Sequence, residues 1–201
     1  MSASEFWNER YQVKDYIFGI EPNDFIRAVT PAATAAQKAY APADGEGRNG
    51  VYLASLGYDV TTTDVANLAI DKAMALASQK GVSINAMVGD ALNPPFADES
   101  FDLIIVSFMH FMPQDHDHFM AQNIRLLKKG GLFIMEGYTI DQIPLTSGGP
   151  KNPDMMMSAE SLIDTFAGFE IILLQETRRH LSEGPRHQGE AATVQIMARK
   201  R

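Results

Sequence analysis

A short glycine-rich segment carries residue types that could bind a nucleotide-like ligand. Gly45, Gly47 and Gly50 have the spacing G-x-G-x-x-G, which is typical of the turn between a strand and a helix that holds a nucleotide. Asp44 and Glu46 flank and interrupt these glycines. A turn that holds a pyrophosphate uses backbone N–H groups and a helix N-terminus, so two carboxylates would repel a dinucleotide. The acidic loop therefore favours a ligand that carries positive charge, as an ammonium or a sulfonium group does.

Two further carboxylates stand where predicted strands end. Asp64 follows a strand predicted over Tyr58 to Thr63, and Asp90 follows one predicted over Val82 to Val88. Ligands of open α/β sheets bind beyond the carboxyl ends of the strands, so both acids are expected in one crevice with the glycine turn. A carboxylate there can accept hydrogen bonds from both ribose hydroxyls. The structural alternatives are an N-cap at Asp64 and an Asx turn at Asp90.

The elements that must position these residues alternate between apolar runs and amphipathic stretches. This alternation predicts an α/β fold with a Rossmann-like, doubly wound, seven-stranded mixed sheet. The sheet is expected to be mostly parallel, with an antiparallel C-terminal hairpin and an N-terminal helical cap. The predicted helices are 51–56, 67–79, 113–127 and 158–166, and the remaining strands are 38–43, 101–108, 132–138, 169–176 and 191–198.

Three features of the chain qualify this topology. The whole chain is predicted to be a single domain over residues 1–201, with a cap segment at 1–37 and a Rossmann-like core at 38–201. Pro42 cannot donate to a sheet ladder, so the first strand is expected to be short or locally distorted. The Gly- and Pro-rich stretch from Pro144 to Pro153 is predicted to be a loop or lid.

Composition narrows the classes of function. The chain has 201 residues, a formal net charge of −8, 45% hydrophobic residues and no cysteine, which excludes disulfides, thiolate metal sites and a cysteine nucleophile. The acidic balance without a basic block argues against nucleic-acid binding. The absence of a long apolar run or a signal-peptide core predicts a cytoplasmic protein with no membrane association. We expect a small-molecule partner, no metal, and an oligomeric state that the sequence leaves unknown.

The order of these motifs resembles a known superfamily. The glycine loop, Asp64, Asp90, the segment Phe101-Asp102-Leu103-Ile104 and the segment Leu127-Lys-Lys-Gly-Gly131 are similar to those of class I S-adenosylmethionine-dependent methyltransferases. Within that superfamily the chain resembles the tellurite-resistance methyltransferases, which are related to thiopurine methyltransferases. The local segments that support this are 6–11, 21–23, 136–138, 146–150, 183–184 and 187–189.

The resemblance implies a donor site and its residues. S-adenosylmethionine would be the cofactor and S-adenosylhomocysteine its product, with Asp44 or Glu46 facing the methionine ammonium, Asp64 on the ribose and Asp90 on the adenine. The cofactor-binding residues that we expect are Asp44, Gly45, Glu46, Gly47, Asn49, Asp64, Val65, Asp90, Ala91, Ser107 and Phe108.

The acceptor side rests on aromatic and cationic residues. Tyr11, Phe18, Phe111 and Tyr138 are candidate substrate-binding walls, although each is equally readable as a core aromatic. The candidate catalytic residues are His110, Arg179 and His187. His110 is either a base or a hydrogen-bonded buried histidine, and the two basic candidates near the C-terminus either bind an anionic acceptor or belong to a solvated hairpin loop.

The leading functional hypothesis is methyl transfer by direct displacement to a small soft nucleophile, either a thiol or an oxyanion of tellurium or selenium. One alternative is an NAD(P)-binding reductase that uses the glycine turn, which the acids at Asp44 and Glu46 argue against. Another is a non-catalytic S-adenosylmethionine-binding protein. The distortion that Pro42 is expected to cause in the first strand supports this alternative.

Overall fold

A computed structural model describes residues 1–201 and contains a single seven-stranded sheet. The strands are β1 (Lys38–Pro42), β2 (Asp59–Asp64), β3 (Asn85–Val88), β4 (Phe101–Ser107), β5 (Leu127–Tyr138), β6 (Phe169–Ser182) and β7 (Gln188–Lys200). The helices are α1 (Ala3–Tyr11), α2 (Asp24–Val29), α3 (Arg48–Ser55), α4 (Asn67–Lys80), α5 (Pro113–Leu126) and α6 (Ala159–Thr165). The strand order is β3-β2-β1-β4-β5-β7-β6. Strands β1 to β5 run parallel to one another, and β7 is antiparallel to both β5 and β6. This confirms the predicted fold class.

The sheet buries both of its faces because successive strand residues point to opposite sides. On one face, Ala39, Leu103 and Ile105 pack in a cluster with residues of α2, α3 and α4. On the other face, Ile104 and Val106 pack in a cluster with residues of α5 and α6. The nearly continuous apolar run of β4 follows from burial on two sides.

Pro42 occupies a place in β1 where its missing N–H is tolerated. It is the last residue of the strand and lies opposite Thr63 of β2, whereas the pairing of β1 with β4 involves only Ala39 and Tyr40. The strand is five residues long. It is therefore short, as expected, and its central pairings are intact.

Several elements extend beyond their predicted limits. β5 begins at Leu127, directly after α5, and includes Gly130 and Gly131, which precede the strand predicted at 132–138. A register shift in the pairing of β4 with β5 between Phe101 and Leu103 accommodates these residues. β6 and β7 pair as far as Ser182 and Gln188, with one register shift between Ile171 and Leu173, and so extend well beyond their predicted apolar runs.

The cap segment is fixed to the sheet by specific contacts. α1 begins with a capping box between Ser2 and Glu5, and its buried Tyr11 clusters with Ile17, Ala66 and Ala69. Farther along, the Asn23 side chain caps α2. None of the helices has both the length and the apolar character that crossing a membrane would demand.

Candidate active site

A crevice lies beyond the carboxyl ends of β1, β2 and β4, where the strand order reverses direction. Its volume is about 210 Å³. Ala43 and Phe108, which follow β1 and β4, both adopt left-handed backbone conformations with φ of 49° and 52°. Such conformations are costly for residues other than glycine and concentrate at functional sites. Of the predicted cofactor-binding residues, the following line the crevice: Asp44, Gly45, Glu46, Asn49, Asp64, Val65, Asp90, Ala91, Ser107 and Phe108.

The glycine loop has two distinct requirements for glycine. Gly47 has φ of 86°, and a Cβ atom there would lie 2.5 Å from the Cβ of Ala73 in α4. Gly47 thus permits α3 and α4 to pack closely, and it does not line the crevice. Gly45 has φ of 58°, and its added Cβ would lie 2.7 Å from the Tyr11 hydroxyl. Gly45 therefore keeps the loop in contact with the cap.

Asp44 places a partly buried carboxylate in the crevice. Its Oδ2 accepts hydrogen bonds from the Gly50 N–H at 2.8 Å and the Thr62 hydroxyl at 3.4 Å. Burial raises the pKa of Asp44 to about 7, although these hydrogen bonds and Arg48 act in the opposite direction. A nearby positive charge stabilises the ionised form of such a carboxyl. Asp44 therefore suits the positively charged ligand that the loop predicts.

Glu46 has a different environment from Asp44. Its Oε2 accepts hydrogen bonds from the N–H groups of Ile17, at 2.8 Å, and Phe18, at 3.3 Å. Its Oε1 pairs with the Lys72 ammonium at 2.7 Å. Glu46 is buried and neutralised by Lys72, so the contacts place it as the tether of the cap and leave Asp44 as the better placed of the two for an ammonium.

Asp64, at the end of β2, is a buried carboxylate that lines the crevice. Its Oδ2 accepts from the Gly45 N–H at 3.0 Å and its Oδ1 from the Ala66 N–H at 2.9 Å. Burial raises its pKa, against the effect of these hydrogen bonds. Since each carboxylate oxygen can accept two hydrogen bonds, both oxygens retain a lone pair for a ligand. The ribose role of Asp64 stays a prediction that this geometry permits.

Asp90 forms the Asx turn that was its structural alternative. Its Oδ1 accepts from the Leu92 N–H at 2.9 Å and its Oδ2 from the Asn93 side-chain amide at 2.8 Å. Asp90 also lines the crevice next to Ala91. The turn holds the carboxylate at the crevice mouth, and its adenine contact stays a prediction.

The residues of the crevice fit S-adenosylmethionine. The Ser107 hydroxyl is buried without a hydrogen-bond partner at the end of β4, so it can bond to a ligand. Asp44 and Asp64 supply acceptors for an ammonium and for hydroxyls, and Trp7, Phe18 and Phe108 supply apolar walls. No group of three or more His, Cys, Asp or Glu side chains is placed to hold a metal ion.

A second cavity adjoins the crevice through a common wall. Its volume is about 490 Å³, and Trp7, Phe18, Phe108 and His187 border both cavities. Among the predicted substrate-binding residues, Phe18 and Tyr138 line the second cavity, whereas Tyr11 and Phe111 line the crevice.

His110 borders the second cavity with both of its ring nitrogens occupied. Its Nδ1 lies 2.9 Å from the Met155 carbonyl, and its Nε2 accepts from the Tyr138 N–H at 3.1 Å. Burial lowers its pKa to about 4. The neutral ring therefore donates through Nδ1 and accepts through Nε2, which favours the structural alternative for His110 over a role as general base.

His187 lies between two aromatic rings at the common wall. Its ring centroid is 4.7 Å from that of Phe18 and 4.6 Å from that of Phe108. Burial, reinforced by the positive charge of Arg48, lowers its pKa to about 3. Its Nδ1 is buried and has no hydrogen-bond partner. Of the three candidate catalytic residues, His187 is the one with a group free to contact a ligand.

Arg179 belongs to a buried ionic network outside both cavities. It donates two hydrogen bonds to Glu136, at 2.8 and 2.6 Å, and one to Glu183 at 2.5 Å. Asn23 and Gln195 also donate to Glu136. The guanidinium is thus engaged in fixing the cap to β5, so this arrangement argues against acceptor binding by Arg179.

Sequence reasoning missed three arginines that border the cavities. Arg48 lines the crevice and pairs with Glu183 at 2.7 Å, whereas Arg10 and Arg186 line the second cavity. Arg48 lies inside the glycine motif at a position that the motif does not specify. Arg186 precedes His187 directly, which was the available signal for its position.

Comparisons with known proteins identify related domains and folds. Residues 43–131 match the model of a methyltransferase domain family. Over 59 residues the chain is 42% identical to a demethylmenaquinone methyltransferase of Thermobifida fusca. That alignment covers 29% of this chain and 24% of the relative, so the chain matches about a quarter of that protein's length.

Solved structures resemble the whole chain. A protein studied for the conversion of a disulfide bond into a thioacetal group during echinomycin biosynthesis is 20% identical, with a TM-score of 0.79, over 99% of this chain and 92% of that one. A SAM-dependent methyltransferase of Methanosarcina mazei is 18% identical, with a TM-score of 0.66, over 90% and 98%.

TehB of Haemophilus influenzae is 18% identical, with a TM-score of 0.67, over 98% of this chain and 67% of that one. At these identities the likeness establishes the fold. Residues 43–131 thus match a methyltransferase domain family, and the chain shares its fold with a SAM-dependent methyltransferase of solved structure.

Proposed function

We propose that the protein transfers the methyl group of S-adenosylmethionine to a small soft nucleophile, a thiol or an oxyanion of tellurium or selenium. The observation that carries this proposal is the wall that the crevice and the second cavity share, which is formed by Trp7, Phe18, Phe108 and His187. A donor in the acidic crevice and an acceptor in the aromatic cavity would meet at this wall. Direct displacement requires such an approach of the two reactants.

The chain's own residues bind, orient and exclude water. When bound, S-adenosylmethionine supplies an electrophilic methyl group on a sulfonium centre. Asp44 and Asp64 hold polar groups of the donor, and the rings of Trp7, Phe18 and Phe108 keep water from the common wall. An anionic acceptor that approaches a cationic donor loses charge separation as it reacts, and a dry, apolar environment favours this change.

Neither histidine at the acceptor side is suited to remove a proton at neutral pH. The pKa of His110 is lowered to about 4 and that of His187 to about 3, in both cases chiefly by burial. A general base works best when its pKa is close to the working pH. We therefore expect the acceptor to react as a preformed anion, which suits thiolates and chalcogen oxyanions.

The comparisons support the proposal without fixing the acceptor. The domain match supports methyl transfer. The echinomycin protein was studied for a change at sulfur, which is consistent with a thiol acceptor. The likeness to TehB is the comparison that bears on the tellurium alternative.

Titration calorimetry tests the donor half of the proposal. S-adenosylmethionine and S-adenosylhomocysteine should bind, and NADH should not. Transfer of a labelled methyl group from S-adenosylmethionine to a panel of thiols, tellurite and selenite then tests turnover. If neither adenosyl compound binds, the proposal is wrong; if the donor binds and no panel member is methylated, the acceptor class is wrong.

Asp64→Ala gives a sharper test of the donor site. Removing the carboxylate should weaken donor binding by about 1–3 kcal/mol, because polar partners in a buried site lose their acceptor. Asp59→Ala is the matched control, since Asp59 begins the same strand and is exposed. Calorimetry should show unchanged affinity for the control. Equal affinities for wild type and Asp64→Ala would contradict the ribose assignment.

A further inference from the structure

The second cavity has a composition opposite to that of the crevice. Four acids line the crevice, at Asp44, Glu46, Asp64 and Asp90, whereas no acid is among the 14 residues that line the second cavity. In a chain with a net charge of −8, a cavity without carboxylates is a distinctive feature. Its volume of about 490 Å³ lies within the range of roughly 300–1,000 Å³ of small-molecule sites.

Two arginines without carboxylate partners border this cavity. Arg10, at the end of α1, places its guanidinium carbon 3.6 Å from the centroid of the Phe6 ring and forms no ion pair. Arg186 is exposed in the β6–β7 turn, and its backbone N–H donates to the Ile17 carbonyl at 3.0 Å. Other arginines of the chain, such as Arg27, Arg125 and Arg179, each pair with an acid. The positive charges of Arg10 and Arg186 are thus available to an anion.

Two buried polar atoms on the cavity wall also lack partners. They are the Tyr138 hydroxyl and Nδ1 of His187, and their ring centroids are 6.2 Å apart. Buried polar groups in native proteins are normally hydrogen-bonded. Two unpartnered atoms on one wall therefore indicate a ligand that carries a hydrogen-bonding group into the cavity.

The remaining wall is aromatic and apolar. Phe6, Trp7, Phe18 and Phe108 contribute rings, and Met155 contributes a thioether. An inorganic oxyanion would fill a small part of this volume and would exchange its hydration for contact with rings. A flat organic body fills such a space favourably, because aromatic stacking and apolar burial both contribute.

From these observations we infer that the acceptor cavity binds an aromatic organic acid. The rings of the cavity contact its flat body, Tyr138 and His187 bond to a polar group on it, and Arg10 and Arg186 pair with its carboxylate at the mouth. The inference rests on the proposed function, since it names the class of acceptor for the same site. It favours an organic thiolate over tellurite or selenite as the nucleophile.

A matched pair of probes isolates the carboxylate. We would titrate 4-mercaptobenzoate and 4-mercaptobenzamide into the full chain saturated with S-adenosylhomocysteine, under reducing conditions. The two thiols have the same shape and differ in one negative charge. The carboxylate should bind at least tenfold more tightly than the amide, and selenite and tellurite should bind more weakly than both.

Substitutions of Arg10 and Arg186 test whether these two residues cause the preference for the carboxylate over the amide. Arg10→Gln and Arg186→Gln should each reduce the ratio of the two affinities at least threefold, with little change for the amide. Arg178→Gln is the control, because Arg178 is an exposed arginine of the same region that lines neither cavity. The same ratios should appear in kcat/KM when S-adenosylmethionine replaces the product.

The outcomes separate this inference from the proposed function. Equal affinities for the two thiols, tighter binding of tellurite or selenite, or a preference that survives both arginine substitutions would overturn the inference. In these cases S-adenosylhomocysteine binding would still stand for the donor site. If S-adenosylhomocysteine fails to bind, the same titrations in its absence still test the cavity: preference for the carboxylate supports the inference, and no preference overturns it.

Discussion

At the scale of single residues, the two acids of the glycine loop have separate tasks. The Glu46 carboxylate accepts hydrogen bonds from the N–H groups of Ile17 and Phe18 and forms an ion pair with the Lys72 ammonium. Asp44 accepts from Gly50 and Thr62 through Oδ2 and has no ion pair with a lysine. The loop owes its usable negative charge to Asp44, whose pKa is raised to about 7 by burial. The protonation of this one group should therefore influence donor binding.

We predict that donor affinity falls on acidification and that Asp44 causes the fall. The cation is attracted by the ionised carboxylate, and below a pKa of about 7 the free protein must lose a proton to bind. The association constant should drop by up to about tenfold per pH unit between about pH 7 and 5. Calorimetric titration of S-adenosylhomocysteine across this range measures it.

Asp44→Asn should bind more weakly at pH 7 and show a much smaller pH dependence, whereas Asp59→Asn should retain the wild-type slope. An unchanged slope in Asp44→Asn would assign the protonation to another group.

At the scale of elements, the loop between β5 and α6 forms one side of the acceptor cavity. Gly148, Gly149 and Pro150 line that cavity. Gly149 has φ of 83°, and a Cβ atom on it would lie 2.7 Å from Cδ2 of Tyr138. The loop thus lies directly on the Tyr138 ring, and its position is specified by the absence of a side chain.

Gly149→Ala should disturb acceptor binding and leave donor binding intact. The left-handed backbone is unfavourable for alanine by about 1–2 kcal/mol, and the added methyl group pushes the loop away from Tyr138. We expect the KM for the acceptor to rise roughly tenfold, since about 1.4 kcal/mol corresponds to that factor.

Gly168→Ala is the control for this change, because a Cβ atom there would meet nothing within 4 Å. Steady-state kinetics with varied acceptor, together with calorimetry of the donor, measures both quantities. A change in donor affinity equal to that in KM would show that the loop serves the crevice as well.

At the scale of the whole molecule, a buried ionic network connects segments that are far apart in sequence. Glu136 of β5 is fully buried and accepts from Arg179 of β6, Gln195 of β7 and Asn23 of the cap. Glu183, in the β6–β7 turn, pairs with Arg179 and with Arg48 of α3. The network joins the cap, the glycine-loop helix and the antiparallel edge of the sheet.

Arg179→Gln should destabilise the protein strongly. It leaves Glu136 buried with fewer partners, and breaking such a pair costs about 3–5 kcal/mol. Thermal or denaturant unfolding should show this loss, at about 2–4 °C in Tm per kcal/mol for a chain of this length.

Arg178→Gln is the neighbouring control, since its 3.3 Å pair with Asp141 is exposed and surface pairs contribute at most about 1 kcal/mol. Equal stability of the two variants would contradict the structural role of Arg179.

The sequence predicted the sheet and the edge at which the site lies, because both depend on short apolar runs and on acids at strand ends. The sequence could not show which of Asp44 and Glu46 is free to contact a ligand. That difference depends on Lys72 and on the N–H groups of the cap, which are distant in sequence. Arg179 was read as a ligand-binding cation for the same reason. Its partners Glu136 and Asn23 are found only after the chain has folded.

Under the proposed function, the wall shared by the two cavities, formed by Trp7, Phe18, Phe108 and His187, couples the binding of donor and acceptor thermodynamically. A donor that settles these rings changes the free energy of the acceptor's own contacts with them, and linkage makes the effect equal in both directions. Each ligand would therefore change the affinity of the protein for the other through the side chains that both ligands contact. This coupling would act through the four side chains that border both cavities.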